Sequence, residues 1–230
     1  DVMIQSEFRD GNVNPGYGQL GQLKKALSLL PKGITKVKLR SDSAGYQKEL
    51  LKFCAEGKDE RFGVIDFAIS CPVGKEFKEA VKAVPSVEWK PLSKGQEWAE
   101  ISYAPNSLST SRKGGIYRFL AIREPFKGKL LEEKIEDGQL FIEEVLEDIL
   151  AEKESLKQLH LTSVNGSIYK VFGIVTNIPE EDGGEIIDWN RGRCGKSEEV
   201  HLILKEELGG GHVISKRFGA NAAWWYITVF

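Results

Sequence analysis

The chain has 230 residues, 41% hydrophobic and 29% charged, which is long enough to bury a sizeable core and too apolar for a disordered segment. Its 32 basic and 34 acidic side chains leave a net charge of −2, so nucleic acid is not bound through overall charge. Three cysteines are too few for a disulfide scaffold, and no apolar run approaches the roughly 18 residues of a membrane span.

Val2, Ile4, Ser6 and Phe8 alternate with Gln5, Glu7 and Arg9, a period-two pattern that predicts a first strand. Leu20, Leu23, Leu27 and Leu30 then recur at helical spacing until Pro31-Lys32-Gly33 stops them. Ile34, Val37 and Leu39 predict a short strand that runs into Arg40-Ser41-Asp42-Ser43-Ala44-Gly45, and residues 47–56 read as a helix ended by Gly57. Val64 to Cys71 is nearly all apolar, as in a strand buried on both faces. Strand, helix, strand, helix, strand in this order favours an α/β sheet.

From residue 73 the texture changes. A lysine-rich helix over 75–84 precedes strand-like pieces at 97–103, 115–123 and 168–176, with an acidic helix expected at 140–150. Residues 73–185 are therefore expected to form an inserted, strand-rich subdomain between a first core segment, 1–72, and a last one, 186–230. The last segment carries a helical pattern from Cys194 to Leu208 with Val200, Ile203, Leu204 and Leu208 on its apolar face, and Gly209 to Gly211 end it. Those glycines follow a helix, so they are not a phosphate loop. Residues 121–160 carry −5 and the remainder +3, so any bound nucleic acid is expected to avoid the acidic stretch. Asp1 opens directly on an apolar run and Ala222 to Phe230 ends inside one, as in a piece of a longer chain.

Asp42 stands just beyond the carboxyl end of a predicted strand, where open α/β sheets place their ligands. Asp followed by Ser-Ala-Gly is also a helix N-cap. Glu198 lies seven residues before Lys205 and seven after Arg191, so Glu198 and Lys205 share a helix face; a solvated face explains the same pattern. His160, His201 and His212 are too far apart for a local zinc motif and are expected as core or capping residues.

Taken together, Arg40-Ser41-Asp42-Ser43-Ala44-Gly45-Tyr46, the stretch Asp188-Trp189-Asn190-Arg191-Gly192-Arg193-Cys194-Gly195-Lys196-Ser197-Glu198-Glu199, Lys205, and Arg217-Phe218-Gly219-Ala220-Asn221-Ala222-Ala223-Trp224 resemble the DDE-domain transposases of bacterial insertion sequences, in particular the IS1380 group of the IS4-like set. The resemblance implies an RNase H-like core in which carboxylates hold two divalent ions, Mg²⁺ or Mn²⁺. Asp42 matches the second acid and Glu198 the third, with Glu199 in reserve because Arg193 stands five residues before Glu198 and not four. Lys205, Arg191 and Arg193 would face DNA phosphates. The first acid would lie upstream of Asp1. The resemblance further implies a bacterial cytoplasmic enzyme that cleaves transposon ends, transfers the 3′ hydroxyl into target DNA, and works as a homodimer on double-stranded DNA. Trp89 and Trp98 fall in the insertion, where an aromatic would stack on an extruded base or simply pack. A non-catalytic RNase H-like module that binds nucleic acid or protein, and a metal-dependent nuclease, are the alternatives.

Overall fold

The computed structural model describes residues 4–9, 12–105, 108, 116–126, 160–179, 181–195, 199, 200 and 202–229. The chain is mixed α/β and separates into two compact units, one of residues 1–65 with 188–230 and one of residues 66–187.

In the first unit, α1 spans Gln19–Leu29. Gly18, at φ 72°, opens it, and Pro31 follows its end. The Arg61 guanidinium donates to the carbonyls of Leu30 (2.9 Å), Pro31 and Ile34 (2.9 Å), which holds the loop after α1. Strand β1 is Lys38–Ser41, shorter and later than the apolar pattern from Ile34 predicts, because carbonyls of the preceding loop are bound to Arg61. Helix α2 spans Lys48–Ala55 and buries Leu50, Leu51, Phe53, Cys54 and Ala55. Glu49 in its first turn and Lys52 in its last suit the helix dipole. Gly57 at φ 65° reverses the chain, and the Lys58 amide donates to the Phe53 carbonyl at 3.1 Å, a Schellman-type ending.

Of the strand expected over residues 1–9, the described part, residues 4–9, forms no ladder. Their alternation instead splits polar and aromatic contacts. Gln5 donates to the Gln22 side chain at 3.1 Å, Gln22 donates to Glu7 at 2.6 Å, and Phe8 packs on Phe218 and Trp225 at centroid distances of 5.3 and 6.3 Å. The helix expected from Cys194 to Leu208 stands in its later part, where the described residues 199, 200 and 202 are helical and a π-helical turn follows. Residues 192–195 are a turn, Lys196 to Glu198 and His201 lie outside the described residues, and Ile203–Glu207 is a π-helical turn. The unit's last described helix is Phe218–Val229.

The second unit is built on antiparallel strands: β2 (Asp66–Cys71), β3 (Lys90–Pro91), β4 (Glu97–Ile101), β5 (Arg118–Pro125), β6 (Leu161–Val164) and β7 (Ser167–Thr176). Their order is β2-β7-β5-β4-β3, with β6 also on β7. Phe67, Ala68 and Ile69 are fully buried, as the unbroken apolar run of β2 predicts. Asn165 and Gly166 join β6 to β7 with φ 49° and 77°, the paired positive φ of a type I′ hairpin. Beyond the last β2–β7 pair, side chains continue the ladder. Asn177 Oδ1 accepts the Phe67 amide at 2.7 Å, and Thr176 Oγ1 donates to the Phe67 carbonyl at 2.6 Å.

Helix α3 (Lys75–Lys82) lays Phe77 and Val81 on this sheet. A Cβ on Gly173 would stand 2.6 Å from Cys71 Sγ and 2.7 Å from the Phe77 ring, so only glycine lets both approach β7. The acidic helix expected at 140–150 lies outside the described residues. Helix α4 (Gly183–Arg191) was not foreseen; its Gly-Gly start hides it from a propensity reading. No described helix is long and apolar enough to cross a membrane.

Candidate functional site

Asp42 follows the last residue of β1 and caps the 3₁₀ turn Ser43–Gly45. Its Oδ1 accepts the Ala44 amide at 3.0 Å, with the Ser41 hydroxyl at 3.5 Å on the same oxygen. The carboxylate is exposed, and every hydrogen bond it receives from the described residues falls on Oδ1. The cap fixes the direction of the side chain and leaves Oδ2 open, an arrangement compatible with an oxygen-seeking cation.

Three bonds and contacts hold a distant segment to this strand end. Arg40 Nη1 donates to the Trp189 carbonyl at 2.7 Å, and Asn190 Nδ2 reaches the Ser41 carbonyl at 3.4 Å, both across 149 residues of sequence. A Cβ on Gly192 would stand 3.0 Å from Arg40 Nη1. Asn190 is only 4% exposed, so this polar bond is sheltered from water. Trp189, Asn190 and Gly192 are thereby held against the strand end that precedes Asp42.

Glu198 itself lies outside the described residues. Glu199 is exposed and helical, its amide donating to the Gly195 carbonyl at 2.8 Å. Arg191 is the half-buried last residue of α4. Arg193 sits in the following turn, where its Nε is buried without a hydrogen-bond partner among the described residues. Lys205 is exposed on the π-helical turn. The described residues contain no group of three or more His, Cys, Asp or Glu side chains able to hold a metal. For Mg²⁺ they offer the hard oxygen donor of Asp42, and Glu198 would have to supply the next.

A cavity of about 500 Å³ adjoins this strand end and is lined in part by Ser41, Gly45, Gln5, Glu7 and Gln22. Glu7 is already committed: its Oε2 accepts from both Gln22 and Arg9. Sequence reasoning missed Trp189 and Asn190 as positioning residues. Their presence in the quoted 188–199 string was the available signal, yet neither carries the charge that draws attention to a site.

In the second unit, Trp89 and Trp98 are 7% and 5% exposed, so both are packed. Trp89 stacks on the Arg123 guanidinium at 4.1 Å, which has Tyr169 at 4.7 Å and donates to Glu97 at 2.7 Å. Trp98 is pressed against Gly183, whose missing Cβ would lie 2.2 Å from the ring. A cavity of about 560 Å³ beside Trp98 is lined by Glu88, Glu100, Glu181 and Asp182 against Lys90 and Arg118. The Arg118 guanidinium is taken by Glu100 at 2.8 Å and by the Ile178 and Glu181 carbonyls, so the balance repels phosphate.

His160 and His212 are exposed, which corrects the core half of the core-or-capping expectation, and His201 lies outside the described residues. His160 owes its position to the chain reversal at φ 48° that leads into β6. Burial pushes the Cys54 and Cys71 thiols up to about 12, with Asp59 adding to the rise at Cys54; neither is a nucleophile near neutrality. No protein-family model, no curated protein and no solved structure matches this chain.

Proposed function

We propose that the chain is the catalytic core of a DDE transposase: an RNase H-like core with a strand-rich insertion that cleaves transposon ends and transfers the 3′ hydroxyl into target DNA. The observation that supports this reading is the pair of bonds from Arg40 to Trp189 and from Asn190 to Ser41, which hold the segment that precedes Glu198 in sequence against the strand end bearing Asp42. Asp42 and Glu198 would hold the divalent ions, Mg²⁺ or Mn²⁺, completed by an acid from upstream. When bound, such a pair of ions activates the attacking oxygen and stabilises the leaving one.

The protein's own part is orientation and charge. The Ala44 amide holds Asp42 in one direction. Arg193, half-buried in the turn after α4, would present its guanidinium to a phosphate oxygen. Arg191 and Lys205 would contact the phosphate backbone of double-stranded DNA. Two transposon ends held together imply a homodimer on DNA, in the bacterial cytoplasm.

The cap made by Asp42 favours a second reading, a non-catalytic nucleic-acid-binding module on the same scaffold. Iron(II) in place of Mg²⁺, with ascorbate and peroxide, separates the two by cutting the main chain where the ion sits. The transposase reading expects cuts around Asp42 and around Glu198, both lost in Asp42→Asn and Glu198→Gln. Cuts elsewhere, or cuts indifferent to both substitutions, would refute it in favour of the module.

A further inference from the structure

Residues 11–41 hold six basic side chains, Lys24, Lys25, Lys32, Lys36, Lys38 and Arg40, and no acidic one. That is +6 in one stretch against −8 over the rest, together the net −2. The five lysines are all exposed. The stretch ends at Asp42.

The last three cations are evenly spaced. Lys38 and Arg40 alternate along β1, so they lie on one face about 6.7 Å apart, and Lys36 precedes them by two residues in the chain that enters the strand. Their shared face is visible in the contacts: Lys38 Nζ lies 5.8 Å and Arg40 Cζ 5.9 Å from the centroid of the same Trp189 ring. Arg40 is further held by its 2.7 Å bond to the Trp189 carbonyl. A row of cations at this interval matches the separation of successive phosphates along one extended nucleic-acid strand. Such a row stands out in a chain of −2 net charge, and it ends two residues before Asp42.

From this we infer that Lys36, Lys38 and Arg40 form a phosphate track that lays one strand of DNA along β1 and delivers a phosphodiester to Asp42. The track rests on the transposase reading for its purpose, and its charge and spacing stand apart from the metal chemistry. A peptide or lipid partner would not need this regular interval.

The test is fluorescence anisotropy with a labelled DNA duplex and no divalent metal, over a range of salt. Removing one phosphate contact lowers the slope of log K against log salt by about 0.9. Lys36→Gln with Lys38→Gln is therefore expected to lower it by about twice that amount, with the melting temperature unchanged. Lys75→Gln with Lys82→Gln, on exposed positions of α3, is expected to leave the slope alone. A folded Lys36/Lys38 variant that keeps the wild-type slope overturns the track, as does an equal fall in the α3 variant. Mn²⁺ binding, read separately, keeps the two ideas apart. A lowered slope with Mn²⁺ binding indifferent to Asp42→Asn keeps the track and removes the metal site. An unchanged slope with Asp42-dependent Mn²⁺ binding does the reverse.

Discussion

Asp42 holds two roles that a pair of substitutions separates. Its Oδ1 caps a three-residue 3₁₀ turn through the Ala44 amide at 3.0 Å, while its charge is the proposed metal ligand. Asp42→Asn keeps a capping oxygen in place and removes the charge; Asp42→Ala removes both. Losing an N-cap costs about 0.5–2 kcal/mol, and an exposed single turn belongs at the low end, about 0.5–1 kcal/mol. For a chain of this length that corresponds to a fall in Tm of about 1–4 °C. Differential scanning calorimetry should show this fall for Asp42→Ala and almost none for Asp42→Asn. Titration with Mn²⁺ should show both variants weakened by more than about tenfold, the size of loss that even groups behind the ligands produce. If Asp42→Asn binds Mn²⁺ as the wild type does, Asp42 is a cap and no ligand. If Asp42→Asn loses as much stability as Asp42→Ala, the capping argument is wrong.

Gly173→Ala would place a methyl 2.6 Å from Cys71 Sγ and 2.7 Å from the Phe77 ring, an overpacking expected to cost about 1–3 kcal/mol in urea unfolding; an unchanged midpoint would mean that α3 yields freely. The thiols supply a pH prediction. Cys54 and Cys71 stay protonated in the folded chain up to about 12, whereas unfolded thiols ionise near 8.5. The unfolded state therefore releases protons first, and the stability these thiols contribute is fully present below about pH 8.5 and lost as pH rises towards 12. The slope is on the order of 1 kcal/mol per pH unit for each thiol. Serine at both positions should flatten it, and an equally steep fall in that variant would show other groups to be responsible. At pH 8, a thiol reagent should label the exposed Cys194 and spare the other two until the chain unfolds.

Side-chain periodicity made much of the fold legible. The leucines of α1, the apolar run of β2 and the lysine-rich α3 all stand where their spacing puts them, because each buries a stripe or face that its own sequence displays. Alternation over residues 4–9 misled because it reports only where side chains point; a strand also needs a neighbouring main chain to complete its hydrogen bonds. Helix α4 was concealed by Gly183 and Gly184. The first of these is glycine because the Trp98 ring fills the space of its Cβ, a tertiary demand written over a local preference. The site divides in the same way. Asp42 at a strand end follows from local pattern, but the bonds from Arg40 to Trp189 and from Asn190 to Ser41 use main-chain carbonyls, which leave no mark on residue type.

The pairing of β2 with β7 also bears on how the chain is made. Ala68 lies opposite Thr176, so a strand with three fully buried residues is synthesised more than a hundred residues before its partner. At translation speeds of about 5–20 residues per second, β2 waits roughly 5–20 s for that partner. Neither the hairpin of β6 and β7 nor the β4–β5 pair can shield it sooner, since both reach β2 only through β7. The nascent chain therefore leaves the ribosome with the β7 side of β2 unpaired until residues 173–176 have been made.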